Sequence, residues 1–266
     1  KHKMEEIKTK GLILSSNNLN DNDKIFTVMT RELGKVTAIA KGVRSHKHKD
    51  FAALQNFCYS DMVLRRRTGL YYVSAAEIID NFYGIRKSVE QMSFAAYVTD
   101  VVKSSPEDSA IEDDYFNFVL NTLFLTGKAE QKCTDGDVLS YIKRLKAVFE
   151  LKTVCSEGFM PYIESCARCG SVKELEYFDI TDGKIICKNC RDFFAAHECV
   201  KINPMVLKLL AFIFQSDYRQ VFSFNAPENE LDIISHIAEN YLIACLEICP
   251  QSLFYLKSVF SGEKSV

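Results

Sequence analysis

Four of the ten cysteines in this 266-residue chain form two pairs, Cys166-Ala-Arg-Cys169 and Cys187-Lys-Asn-Cys190, with seventeen residues between them. The C-x2-C-x17-C-x2-C spacing is that of a four-thiolate zinc site. Two residues between thiols let a tight turn aim both sulfurs at one ion. Gly170, directly after the first pair, tolerates the turn backbone. Four thiolates fill the tetrahedral shell of zinc and leave no position for water. One structural Zn2+ is therefore expected, held by Cys166, Cys169, Cys187 and Cys190. The intervening stretch reads as a hairpin, with residues 174–178 and 184–186 joined by a turn at Asp182-Gly183. The remaining cysteines (Cys58, Cys133, Cys155, Cys199, Cys245, Cys249) stand among apolar neighbours and read as small buried hydrophobes. Free thiols in a chain of this length point to a reducing, cytoplasmic compartment.

The second constellation is cationic. Residues 41–49 (KGVRSHKHK) carry Lys41, Arg44, Lys47 and Lys49 with two histidines, and Arg65, Arg66 and Arg67 stand at a strand end before Thr68-Gly69. Together with Lys35 they could flank one face of a small barrel, where they would neutralise phosphates without regard to base sequence. Tyr71, Tyr72 or Phe57 could stack on bases; equally, strand aromatics can belong to the core. Catalytic patterns are missing from the sequence: no phosphate-binding G-x-x-x-x-G-K-[ST], no G-x-G-x-x-G, no G-x-S-x-G and no H-E-x-x-H. A non-enzyme is expected.

The elements that must position these residues follow from periodicity. Residues 7–14, 24–30, 36–40, 57–66 and 70–79 are rich in β-branched and aromatic types and read as five strands, which suits a small closed barrel such as the OB-fold. The Asn/Asp-dense segment 17–23 reads as a turn. From Arg86 the period becomes helical. Val89, Met92, Ala96 and Val101 form one stripe, and Tyr115, Phe118, Val119, Thr122 and Leu123 a second. A third comprises Val138, Tyr141, Ile142, Leu145, Val148 and Phe149, capped by Asp135 or Asp137. Asn203-Pro204 should open a helix to about residue 215, and another should span 228–248 before Pro250.

The expected organisation is an α+β multidomain chain. A barrel spans 1–84, with residues 1–3 a remnant ahead of a native start at Met4. A first helical part spans 85–160, the four-cysteine finger 161–195, and a C-terminal helical part 196–266. Charge divides with these segments. The first holds fourteen Lys and Arg against nine Asp and Glu, and the remainder is acidic, for a net −2 overall. A near-neutral sum therefore does not exclude a nucleic-acid partner. No apolar run exceeds six residues, far short of the ~20 needed to span a bilayer, so no membrane partner is expected.

Three blocks in register resemble the RecO recombination mediator family. Gly11-Leu-Ile-Leu, Asp23, residues 26–35 (FTVMTRELGK) and 38–44 (AIAKGVR) are similar to its opening. Ala147-Val-Phe-Glu-Leu leading through residues 158–161 (GFMP) to Cys166-Ala-Arg-Cys169-Gly170 is similar to its central helix and zinc module. Residues 256–260 (LKSVF) resemble its C-terminal signature. The resemblance implies an OB-fold, a helical domain with an inserted zinc finger, and a DNA repair and recombination role. That role is to bind single- and double-stranded DNA, anneal complementary strands, and with RecR promote RecA loading onto DNA coated with single-strand-binding protein (SSB). It implies DNA contacts at Lys35, Lys41, Arg44 and Arg65 to Arg67, and location at the nucleoid. It also implies a helical-domain site for the acidic, apolar-ended SSB tail, near Lys201, Lys208 or Lys257. The alternative from another class is a protein-interaction adaptor whose barrel serves as a partner platform and whose cations are merely solvated.

Overall fold

A computed structural model describes residues 6–67, 69–105, 111–133 and 137–262. Residues 1–5, Thr68 and Asp135 lie outside that set. Segments rich in β-branched and aromatic residues build the first five strands: β1 (Glu6–Asn18), β2 (Lys24–Thr30), β3 (Gly34–Ala40), β4 (Tyr59–Arg67) and β5 (Leu70–Asp80). They close a barrel in the order β1-β2-β3-β5-β4, with β4 returning onto β1. All pairs are antiparallel except β3 with β5. This is the five-stranded Greek-key arrangement of an OB barrel. Phe26 and Val28, then Val36, Ala38 and Ala40, then Met62 and Leu64 alternate inward and pack with Ile13 and Leu54.

The strand boundaries expected from sequence agree closely with the observed ones except at β1, which runs past Leu14 to Asn18. The register with β2 jumps between Ile13 and Ser15, a bulge that bends β1 and lets pairing continue to Asn18 opposite Lys24. The turn therefore shrinks to residues 19–23. There the Asn20 side-chain oxygen accepts the N–H groups of Asn22 (2.9 Å) and Asp23 (2.8 Å).

In space the chain divides into two compact units, residues 1–128 with 250–266, and residues 129–249. Composition shifts fall at other places, because they track changes of local pattern and not of contact. In the first unit, helices α1 (Val89–Ser104), α2 (Asp113–Gly127) and α7 (Gln251–Ser261) accompany the barrel. Ser88 caps α1 by accepting the Gln91 N–H. The expected α1 stripe is only part of its buried face: Val101 is buried and Met92 and Ala96 are half-buried, but Val89 is 54% exposed, while Phe94, Ala95, Tyr97, Val98 and Val102, outside the stripe, are buried. Packing by α2, α7 and β1 covers α1 on several sides, which erases a single stripe. Helix α7 had no sequence signal recognised as helical; Pro250 stands as its N-cap. Helix α2 buries all five residues of its expected stripe.

The second unit holds α3 (Ala129–Lys132), α4 (Val138–Ser156), β6 (Leu175–Asp179), β7 (Lys184–Cys187), β8 (Cys199–Lys201), α5 (Pro204–Gln215) and α6 (Glu228–Leu246). Asp137 caps α4, accepting the Ser140 N–H at 2.9 Å. Asn203 caps α5, accepting the Val206 N–H at 2.8 Å, and Pro204 occupies its first turn as expected. Residues 145–154 of α4 are buried on every face, including Lys146 and Glu150. Lys146 Nζ meets Glu150 Oε1 at 2.7 Å and Glu239 Oε2 at 2.8 Å. Burial lowers the Lys146 pKa, yet the two carboxylates outweigh it and hold the ammonium charged. Among the described residues no helix is long and apolar enough to cross a membrane. Of the six scattered cysteines only Cys58 is buried. Cys133, Cys155, Cys199 and Cys245 are partly exposed and Cys249 is exposed, which corrects the expectation of buried hydrophobes.

Candidate nucleic-acid interface and metal centre

The pleat decides which cations can act together. Val36, Ala38 and Ala40 of β3 point into the barrel, so Ile39 and Lys41 lie on its outer wall. Strand β5 runs between β3 and β4, with Tyr72 opposite Ile39 on one side and Arg65 on the other. Tyr72, Lys41, Arg65 and Arg67 therefore share the outer wall. With Lys49, His48, Asp50 and Ser74 they line one cleft of about 350 Å³. Lys41 Nζ stands 5.8 Å from the centre of the Tyr72 ring. Arg65 is paired with Glu6 at 2.6 Å.

The other predicted contacts are distributed differently. Arg66 points to the opposite side of β4, its guanidinium 6.0 Å from the ring centre of Tyr71, which packs against the barrel core. Phe57 is buried. Lys47 is exposed in the 41–58 connection. Arg44 staples that connection to the β1–β2 turn: its guanidinium donates to the Asn20 carbonyl at 2.7 Å and its N–H to the Asn22 carbonyl at 3.1 Å. Lys35 lies at the far end of β3, about 20 Å from Lys41 at ~3.3 Å per residue. Its ammonium donates to the carbonyls of Val102 (3.1 Å), Lys103 (3.2 Å) and Ser105, the end of α1. The structure thus gathers Lys41, Lys49, Arg65 and Arg67, and gives Lys35 a helix to cap.

Sequence reasoning overlooked three residues that shape this cleft. Asp23 Oδ1 accepts the Gly42 N–H at 2.8 Å, fixing the loop directly after Lys41, where Gly42 has φ +69°. Asp50 is buried and accepts the Ala76 N–H at 3.2 Å. His48 Nδ1 in turn accepts the Asp50 N–H at 3.2 Å. Glu6 is the third, since it competes for Arg65. Only Asp23 had a signal, as the acidic residue of the Asn-rich turn.

In the second unit the four cysteines converge. Their sulfurs all lie within 4.8 Å of one another, and Cys169 Sγ is 3.7 Å from Cys187 Sγ. Four sulfurs bound at ~2.3 Å to a tetrahedral ion stand about 3.8 Å apart, so the cluster fits one metal ion. The first turn is closed by the Gly170 N–H donating to the Cys166 carbonyl at 2.9 Å, with Gly170 at φ +70°. The Ala167 N–H donates to the Ile185 carbonyl at 2.9 Å, tying that turn to β7. Burial pushes the Cys166 thiol up, but the N–H groups of Cys187, Cys169 and Arg168 outweigh it and bring it down to about 6. Burial and the neighbouring sulfurs drive Cys187 the other way. Cys166, Cys187 and Cys190, with Ile186, are the centre of this small core, against which Leu175, Tyr177 and Phe194 pack, while Cys169 is exposed. The hairpin is as expected, and β8 adds a third strand that the sequence did not announce. Of the three lysines named for a partner tail, Lys201 borders an apolar groove of about 540 Å³ with Val172, Leu175, Pro204 and Leu207, and Glu174 and Glu176 share its rim.

By architecture the chain is an OB-barrel protein joined to a helical region that carries a four-cysteine cluster. A family profile described as "Recombination protein O N terminal" matches residues 4–82, and one described as "Recombination protein O C terminal" matches residues 86–252. The DNA repair protein RecO of Acetivibrio thermocellus is 29% identical over 257 residues, covering 96% of this chain and 98% of its own. That of Clostridium novyi is 30% identical over 248 residues (92% and 91%), and that of Bacillus subtilis 26% over 234 (88% and 87%). The chain belongs to the RecO family of DNA repair proteins.

Proposed function

We propose that this chain is a recombination mediator that binds single- and double-stranded DNA through the barrel, anneals complementary strands, and with RecR promotes RecA loading onto SSB-coated DNA. The observation that carries the reading is the convergence of Lys41, Lys49, Arg65 and Arg67 from separate strands and a loop into one cleft. Annealing breaks and forms no covalent bond. It requires that phosphate repulsion between strands be neutralised and that a competing coat protein be displaced, and a cationic barrel wall suits the first task. Lys47, exposed in the 41–58 connection that also supplies Lys49, would extend the path for the backbone. The cysteine cluster would hold one Zn2+ as a scaffold for the β6–β7–β8 sheet, since four thiolates leave the ion no open position. The acidic SSB tail is the partner proposed for the helical region.

The test is annealing of complementary single strands coated with the cognate SSB, with and without RecR. Annealing that speeds with this protein and falls with rising salt supports the mediator. An absence of annealing across 50–200 mM salt, with partner binding retained, would instead favour the adaptor.

A further inference from the structure

We propose that Tyr72 is a stacking platform for one unpaired base and makes the cleft prefer single strands to duplex; this rests on the DNA-binding reading above. Tyr72 is the aromatic that the outer-wall parity places between cations, with Arg65 directly across on β4 and Lys41 past the end of β3 on the other side. It is half-buried, so the ring is held in place yet borders the cleft. The two other candidate aromatics of the barrel are committed to its interior, Tyr71 against the core and Phe57 buried. Cleft volume sets what can enter. About 350 Å³ sits at the small end of sites that take a single compact ligand. One base can enter with its phosphates on the flanking cations, whereas a duplex keeps its base faces stacked on one another and offers none to the ring. Stacking on an aromatic is indifferent to base identity, because every base has a π-face. The cleft is thus divided in function. The cations would serve any nucleic acid, while the ring would respond only to an unstacked base.

The chain contains no tryptophan, so Tyr72→Trp is a unique fluorescent reporter. Oligo-dT should quench it strongly, and a hairpin duplex of equal charge should not. Tyr72→Ala should weaken oligo-dT binding by about 5- to 150-fold, the effect of one lost stack, and leave duplex affinity and the salt dependence of both unchanged. Tyr72→Phe, which keeps the ring, should bind as the parent does. Equal quenching by strand and duplex, or equal loss of both in Tyr72→Ala, overturns the proposal while leaving DNA binding intact. Failure of the parent protein to bind oligo-dT at any salt would instead sink the DNA-binding reading itself. Should Tyr72→Ala prove unfolded on melting, the quenching comparison and Tyr72→Phe still decide.

Discussion

Lys35 and Arg67 distinguish a reading by charge alone from one by geometry. Both are basic residues of the barrel strands, and charge alone would give them the same task. Arg67 lines the cleft with Lys41, Lys49 and Arg65, whereas Lys35 is spent on the carbonyls at the end of α1. Each phosphate neutralised on a single strand adds about 0.7 to the logarithmic salt slope, so four cleft cations correspond to a slope near −2.8. Raising salt from 50 to 200 mM should then weaken oligo-dT binding by about fifty-fold. In Arg67→Ala the slope should fall to about −2.1 and the loss to about twenty-fold. Lys35→Ala should keep the parent slope and instead lower the melting temperature, since removing a cation from a helix C-terminus costs about 1 kcal/mol. Fluorescence anisotropy of labelled oligo-dT across a salt series measures the slopes, and a thermal melt the stability. If Lys35→Ala flattens the slope while Arg67→Ala leaves it alone, the cleft is misassigned and the reasoning from pleat parity fails.

Other expectations concern the supports. Glu6→Gln frees Arg65 from an exposed ion pair, and such pairs are worth about 0.2–1 kcal/mol, so oligo-dT should bind about 1.5- to 5-fold more tightly; unchanged or weaker binding would mean that Arg65 meets no phosphate. Cys187→Ser should abolish the zinc binding proposed for the cluster, read by elemental analysis of parent and variant, and amide exchange should speed across β6, β7 and β8 while the barrel strands keep their protection. Retention of one zinc per chain would exclude the four-thiolate site. The Asn20 side chain, the Gly42 N–H and the nearby Lys41 charge hold the Asp23 carboxyl below its usual value of 3.8. Its anchorage of the loop is thus complete above that value and is lost as pH falls through the lower folded-state value. Gly42 amide protection should follow that curve, and in Asp23→Ala, which removes the acceptor, it should be weak at neutral pH and insensitive to acid.

The features legible in the sequence were those that short stretches of chain dictate. Ligand spacing is covalent, so Cys166, Cys169, Cys187 and Cys190 could be matched to one ion before any fold was known. Caps are equally local, which is why Asn203-Pro204 marked the start of α5. Strand periodicity located the barrel strands but was silent on their order. Order and register are long-range facts, set by which faces can be buried together. The parallel pairing of β3 with β5 and the register of β5 on β4 bring Lys41, Tyr72 and Arg65 to one wall. A shift by one residue would have turned Tyr72 inward. The same limit explains α1, whose buried face depends on α2, α7 and β1, the second of these some 150 residues away in the chain. The composition of the cationic stretch was thus a property of the sequence, while the choice of which cations share a cleft, and of which one caps a helix, belonged to the tertiary structure. Burial and pleat parity are settled only when distant segments pack.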